Sequence, residues 1–347
     1  MAMDGRTGRG QRLALAAAAA LAGAALFVQH RTRRTEAHHP PRGSFIEVDG
    51  VRLHYLRAGQ GRPVVFLHGN GTMFEDFALS GVLDRAAQRY HVVAFDRPGY
   101  GYSERPRDRI WTPEAQADLL AAAVRKLGLD APIVVGHSWG TLVAAAWALR
   151  HRQEVAGLVL MSGYYFPTAR VDVPLLSGPA LPIVGDLMRF TVSPLIGRML
   201  WPSMVRHLFR PAPVAASFRR FPTWMALRPQ QLRAAASESA LMVPAAYRLR
   251  HLYSRLRGLP VVIVAGEDDR HAGTEAQSER LHELVPGSEL VVAPGVGHML
   301  HHTAPEVALA AVDRAAALAA HDAALDSGAG SEHMRQAALA APGAAAA

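Results

Sequence analysis

Cysteine is absent from the 347 residues. That excludes a disulfide scaffold, a thiolate metal site, a cysteine-ligated iron–sulfur cluster and a cysteine nucleophile. Lysine occurs once, at Lys126, so arginine carries nearly all of the positive side of a formal net charge of +8. Charged residues are scarce at 19% while apolar ones reach 50%, a balance that argues against wholesale disorder. A basic chain suits nucleic acid, an anionic membrane surface or an acidic ligand. No interleaved basic–aromatic motif and no zinc-finger spacing occurs, so no nucleic-acid partner is implied. The length allows one large α/β domain or two modest ones.

What is present begins with an N-terminal segment foreign to a globular fold. After a basic stretch, 1–12, with Arg6, Arg9 and Arg12, residues 13–28 form a run of 16 apolar or small uncharged residues. Arg31, Arg33 and Arg34 follow. At 1.5 Å per residue the run makes a helix of roughly 24 Å, slightly short of a ~30 Å hydrocarbon core. It reads as an uncleaved membrane anchor. The alternatives are a signal h-region removed on export, with Gly23, Ala24 and Ala25 supplying small residues inside the run, and an alanine-rich disordered leader. Similar positive charge on both flanks leaves the orientation open. Residues 29–43 read as a polar, basic linker and 321–347 as a frayed, flexible tail.

The middle of the chain alternates short β-rich runs with helical stretches. Ser44–Val48 and Val51–Leu56 flank Asp49-Gly50, a pair that tolerates the positive φ of a hairpin turn. Further strands are expected at Val64–Leu67, His91–Phe95, Ile133–Val135, Gly157–Met161, Val261–Ala265 and Glu289–Val292. Helices at Pro113–Leu127 and Leu142–His151 lie between some of them. Continuous apolar strands alternating with helices imply a mostly parallel, eight-stranded sheet covered on both faces. The stretch 166–257 is too long for a simple crossover and reads as a helical lid inserted after the sixth strand, or as a packed helical domain without a gating role. It divides the core into 44–165 and 258–320.

Chemistry concentrates at Gly136-His137-Ser138-Trp139-Gly140, where an apolar strand enters and a helix leaves. A lone G-x-S-x-G is a weak signal; the strand–turn–helix context makes it a serine exposed on a strained turn. A serine hydroxyl needs a base, and the base an orienting acid. Candidate acids stand in Gly266-Glu267-Asp268-Asp269, after one predicted strand, and His298 ends the loop after the next.

With His68-Gly69-Asn70-Gly71 after the strand Val64–Leu67, and Asp96-Arg97-Pro98-Gly99-Tyr100-Gly101-Tyr102-Ser103 after His91–Phe95, the chain resembles the α/β-hydrolase superfamily over roughly 44–320. The resemblance is to the branch of lidded esterases, carbon–carbon bond hydrolases, cofactor-free haloperoxidases, epoxide hydrolases and haloalkane dehalogenases. It implies Ser138 as nucleophile, His298 as base and Asp269 as acid, with Asp268 and Glu267 as rival acids and His301 and His302 as rival bases. The implied oxyanion hole is the backbone N–H groups of Trp139 and Asn70, with Gly71 a substitute. His68 would pack beneath that loop, and Asp96 and Arg97 would fix a turn. Dehalogenases and epoxide hydrolases of this branch use an aspartate nucleophile; the serine here suits attack on a carbonyl.

The expected activity is thus that of a serine hydrolase on an ester or thioester of an apolar small molecule. Carbon–carbon cleavage and perhydrolysis by the same residues are alternatives, as is a non-catalytic binding protein with a blocked pocket or displaced triad. No metal or organic cofactor is implied. The segment 166–257 carries 13 arginines against Asp172, Asp186 and Glu238. Its apolar patches would line a pocket or merely pack lid on core. The arginines would attract an anionic substrate or lipid headgroups, or form a solvated face.

Overall fold

A computed structural model describes residues 4–170 and 172–340, except for the side chains of 4–8, 172, 175 and 326–340. The first three residues of the basic stretch, Val171 of the insertion and the last seven of the tail lie outside the described residues. Helix α1 (Asp4–His38) precedes the hairpin β1 (Ser44–Val48) and β2 (Val51–Ala58). The core continues with β3 (Pro63–Leu67), α2 (Glu75–Ser80), α3 (Val82–Ala86), β4 (His91–Phe95), α4 (Pro113–Lys126), β5 (Ile133–His137), α5 (Trp139–Arg150) and β6 (Gly157–Met161). Five α-helices follow, α6 (Asp172–Ser177), α7 (Val184–Phe190), α8 (Ser193–Phe209), α9 (Thr223–Ala226) and α10 (Pro229–Leu249). The chain then returns through β7 (Val261–Gly266), α11 (Arg280–Leu284), β8 (Glu289–Ala293), α12 (Leu300–Thr303) and α13 (Pro305–Ala340).

The eight strands form one sheet in the order β1-β2-β4-β3-β5-β6-β7-β8. β1 and β2 pair antiparallel, as do β2 and β4; all other pairs are parallel. Asp49 and Gly50 take the positive φ their hairpin requires, 49° and 71°. Alternation of side chains on the buried strands builds two cores. Val65, Val134, Leu160 and Ile263 face one way, against α4 and α5. Val64, Val135, Val159 and Val264 face the other, against α3 and α13. Both faces being covered is why these strands read as unbroken apolar runs.

Two stretches differ from the sequence expectation. Residues 29–38 are not a linker: α1 runs on to His38 and docks on the insertion. Phe27 meets Trp224 edge-on with centroids 6.1 Å apart, the Arg31 guanidinium lies 4.8 Å from the Trp224 ring, and Arg228 pairs with Glu36 at 2.8 Å. No proline interrupts the helix before Pro40 and Pro41, which end it. Residues 321–340 likewise continue α13. Alanine has the highest helix propensity, and no proline interrupts between Pro305 and Pro342.

The placement of α5 rests on Gly140. A Cβ there would run into the Leu67 carbonyl of β3 and stand 2.8 Å from the His68 carbonyl. Gly140→Ala is expected to cost about 1–3 kcal/mol through this overpacking, read as a lowered midpoint in urea unfolding.

Candidate active site

Strand β5 delivers the chain to Ser138, which turns at φ 52° and ψ −121° before α5 starts at Trp139. A non-glycine residue held there costs on the order of 1–3 kcal/mol. The turn is held by hydrogen bonds: Ser138 N–H donates to Met161 O at 2.9 Å, and Thr141 N–H and Oγ1 donate to Ser138 O at 3.0 and 2.6 Å. Gly136 admits the close return of the helix, since a Cβ there would lie 2.6 Å from the Gly140 carbonyl. Trp139 is first in α5, so its N–H has no acceptor within the helix.

The loops after β7 and β8 bring two of the expected partners to this serine. His298 Nε2 lies 3.0 Å from Ser138 Oγ, and His298 Nδ1 lies 2.8 Å from Asp269 Oδ2. The other Asp269 oxygen accepts N–H bonds from His271 and Ala272 at 2.9 and 3.0 Å. Burial alone would raise the Asp269 carboxyl, but His298, the Ala272 amide and His271 outweigh it and hold it well below the usual carboxylate range. Among the described residues no hydrogen bond joins a rival to Ser138 or to the His298 ring. Glu267 is exposed, and Asp268 binds Val296 O through its backbone amide at 2.9 Å. His301 and His302 face Asp76, with Nε2 atoms 3.2 and 2.8 Å from its Oδ1.

The His68–Gly71 loop passes beside the serine: a Cβ on Gly69 would lie 3.2 Å from Ser138 Cβ. His68 sits fully buried beneath it, as expected. Its Nδ1 donates to Gly69 O at 2.8 Å and its Nε2 accepts from Arg97 N–H at 3.0 Å, which defines a neutral ring. Burial, then Arg97, lowers its pKa to about 4.

Asp96 fixes a turn by accepting from Phe74 N–H at 3.0 Å and Tyr102 N–H at 3.1 Å. Arg97 does more than the turn-fixing role expected of it. Its buried guanidinium donates to His68 O at 2.8 Å, Gly69 O at 3.0 Å, Gln116 Oε1 at 2.9 Å and Glu238 Oε2 at 3.0 Å. Glu238 belongs to α10 of the insertion. Tyr100 Oη stands 2.7 Å from Glu238 Oε2 and 2.8 Å from Asn70 Oδ1, while Asn70 Nδ2 donates to Ala235 O and Ser239 Oγ, both at 3.2 Å. Burial would raise the Glu238 carboxyl, but Arg97, Arg105 and Tyr100 lower it. Sequence reasoning missed Glu238; its one signal is that it is among only three acids beside 13 arginines in 166–257.

A small cleft of about 10 Å³ borders Ser138 and His298, with Trp139, Leu142, Tyr164 and Met242 among its walls. That is room for about one water molecule. Below the turn, Asp76, His137 and His301 each bring a ligand atom within 4.8 Å of the others, a two-imidazole, one-carboxylate set of a kind zinc accepts. Internal contacts already engage part of it: His137 Nε2 donates to His298 O at 3.0 Å. Burial would raise the Asp76 carboxyl, but His301 and His302 outweigh it and keep it well below its ordinary range.

The sequence profile described as the alpha/beta hydrolase fold matches residues 62–305. The chain belongs to the alpha/beta hydrolase fold family. Haloalkane dehalogenase 2 of Mycobacterium tuberculosis is similar to this hydrolase at 28% identity over 272 residues, 76% of this chain and 91% of the dehalogenase. 2-Hydroxymuconate semialdehyde hydrolase of a Pseudomonas species is 34% identical over 142 residues, 40% of this chain and 48% of that protein. The crystal structure of a membrane phospholipase A superposes with a TM-score of 0.60 at 22% identity, over 89% of this chain and 98% of the other, a likeness of fold.

Two outcomes follow from the buried groups. Glu238→Ala strands the Arg97 charge and is expected to cost about 3–5 kcal/mol in urea unfolding, with Glu238→Gln costing less. His68 stays neutral when folded but takes a proton below about 6.5 when unfolded, so it lowers stability as pH falls. Between about 6.5 and about 4 this amounts to on the order of 3 kcal/mol, and the slope of unfolding free energy against pH is expected to flatten in His68→Gln.

Proposed function

We propose that this hydrolase attacks carboxylic esters or thioesters through an acyl-enzyme on Ser138. The observation that carries this reading is the continuous chain Ser138 Oγ, His298 and Asp269, with links of 3.0 and 2.8 Å. Ser138 Oγ bonds to the carbonyl carbon as its proton passes to His298 Nε2, and the leaving alcohol or thiol takes that proton. Water then attacks the acyl group, giving its proton to His298 and releasing the acid. Asp269, held ionised, orients the ring and stabilises its charged form. The N–H groups of Trp139 and Asn70 stabilise the oxyanion.

The serine also separates this chain from the chemistry in its dehalogenase relative's name, for which the family resemblance implies an aspartate nucleophile. The cleft supports an apolar carbonyl substrate through Leu142, Tyr164 and Met242. Drug-sized ligands occupy roughly 300–1,000 Å³, so residues 166–257 act as a lid: Arg170 and Met242, which wall the cleft, must withdraw for substrate to enter. The chain Ser138–His298–Asp269 beside a cleft supports the reading of an enzyme over that of a binding protein. The 34% identical 2-hydroxymuconate semialdehyde hydrolase favours carbon–carbon cleavage as a second reading. The apolar run of α1, only 6% buried, supports a helix retained as a membrane anchor.

Labelling with a fluorophosphonate is expected for the folded chain and absent in Ser138→Ala, while Asp269→Asn slows labelling by roughly 10³-fold or more. Folded protein that fails to label contradicts the reading. Hydrolysis of p-nitrophenyl esters of graded chain length is expected to outpace cleavage of a vinylogous 1,5-diketone; the reverse order would select the second reading.

A further inference from the structure

The junction of α1 with the insertion combines features the proposed hydrolysis does not use. A cavity of about 470 Å³ is lined by Arg31, Arg34 and His38 of α1 and by Arg198, Arg220 and Trp224 of the insertion, with no carboxylate in its wall. A neighbouring groove of about 730 Å³ shares Arg198 and adds Arg206, Arg210 and Arg219, again without an acid. Several surface arginines elsewhere sit against carboxylates, as Arg89 with Asp313, Arg125 with Glu154, Arg150 with Asp118 and Arg314 with Glu289. Among the described residues the cavity's four arginines form no ion pair, and Arg31 Nε is buried without a hydrogen-bond partner.

The position of these charges along α1 matters. The apolar run ends at Val28, so Arg31 and Arg34 stand about 4.5 and 9 Å beyond it along the helix. A headgroup layer adds about 5–8 Å to each side of the hydrocarbon core. The cavity thus opens at the depth of lipid phosphates when α1 is inserted.

Beside it, α7 touches α1 and packs on α8. Together they expose an apolar stripe that water does not favour. Ile183, just before α7, is 83% exposed, and Met199 of α8 is 72% exposed. Ile196, Leu200 and Met204 extend the row at helical spacing and are all exposed. A contiguous apolar surface rimmed by cations marks an interaction site, and the paired arrangement is that of an interfacial membrane element.

We propose that this junction docks on an anionic bilayer: the arginine-lined cavity takes the phosphate headgroup of an anionic phospholipid while the α7–α8 stripe lies at the acyl boundary. The proposal rests on α1 being a retained anchor. It places the insertion, whose movement admits substrate, in direct contact with lipid.

Absence of cysteine makes the test clean. The full-length chain carrying Met199→Cys, or Asp130→Cys ahead of β5 at the far end of the sheet, is labelled with bimane. Each form is reconstituted in vesicles of phosphatidylcholine, with or without phosphatidylglycerol, containing brominated acyl chains. The label at 199 is expected to be quenched and the one at 130 not. Phosphatidylglycerol is expected to deepen quenching at 199 about twofold, each arginine near the surface adding attraction. Combining Arg31→Gln, Arg34→Gln, Arg198→Gln and Arg220→Gln is expected to abolish that increment. If the chain floats with the vesicles but 199 is quenched no more than 130, docking is wrong and the anchor stands. Quenching at 199 indifferent to phosphatidylglycerol and to the four substitutions overturns the headgroup site. A chain that does not float with vesicles of either composition overturns anchor and docking together.

Discussion

Ser138 holds a positive φ where strand β5 turns directly into helix α5, fixed by its bond to Met161 O and by the close packing around it. Gly136 and Gly140 remove the side chains that would hold them apart, and the Leu67 and His68 carbonyls occupy the space so released. The strain therefore resides in the closely packed centre of the sheet rather than in a loop that could relax it. That same closeness sets the serine beside the His68–Gly71 loop, next to the first amides of α5, which have no acceptor within the helix. The turn presents the Ser138 hydroxyl at a fixed point, 3.0 Å from His298 Nε2, whose other ring nitrogen lies 2.8 Å from Asp269.

The second organising contact is Arg97 with Glu238, both fully buried. One guanidinium holds two carbonyls of the His68–Gly71 loop and one carboxylate of α10, so the insertion and the loop share a single buried group. Asn70 adds a second link to α10 through its side-chain amide. Arg97 and Asn70 thus tie α10 to the His68–Gly71 loop, and α6 packs on α10 in turn.

The strands were legible because parallel sheet buried on both faces leaves unbroken apolar runs, and the site because its residues sit at strand ends beside glycines. Asp269 and His298 could be located but not selected by chemistry alone: Glu267, Asp268, His301 and His302 are equally competent residue types, and only geometry turns them away. Arg97 and Glu238 are separated by 141 residues, and no local pattern announces their pairing. The continuation of α1 past Val28 was hidden for a related reason. A polar, basic segment reads as solvated chain until Trp224 and Arg228 are known to lie alongside it.

A cleft of about 10 Å³ also has a kinetic meaning. On the reading proposed above, Ser138, itself half-buried, offers its hydroxyl to a space that admits about one water, so a larger substrate reaches it only when part of the wall yields. Discrimination among substrates would then begin with which shapes the yielding wall lets past, before the pocket has weighed their fit.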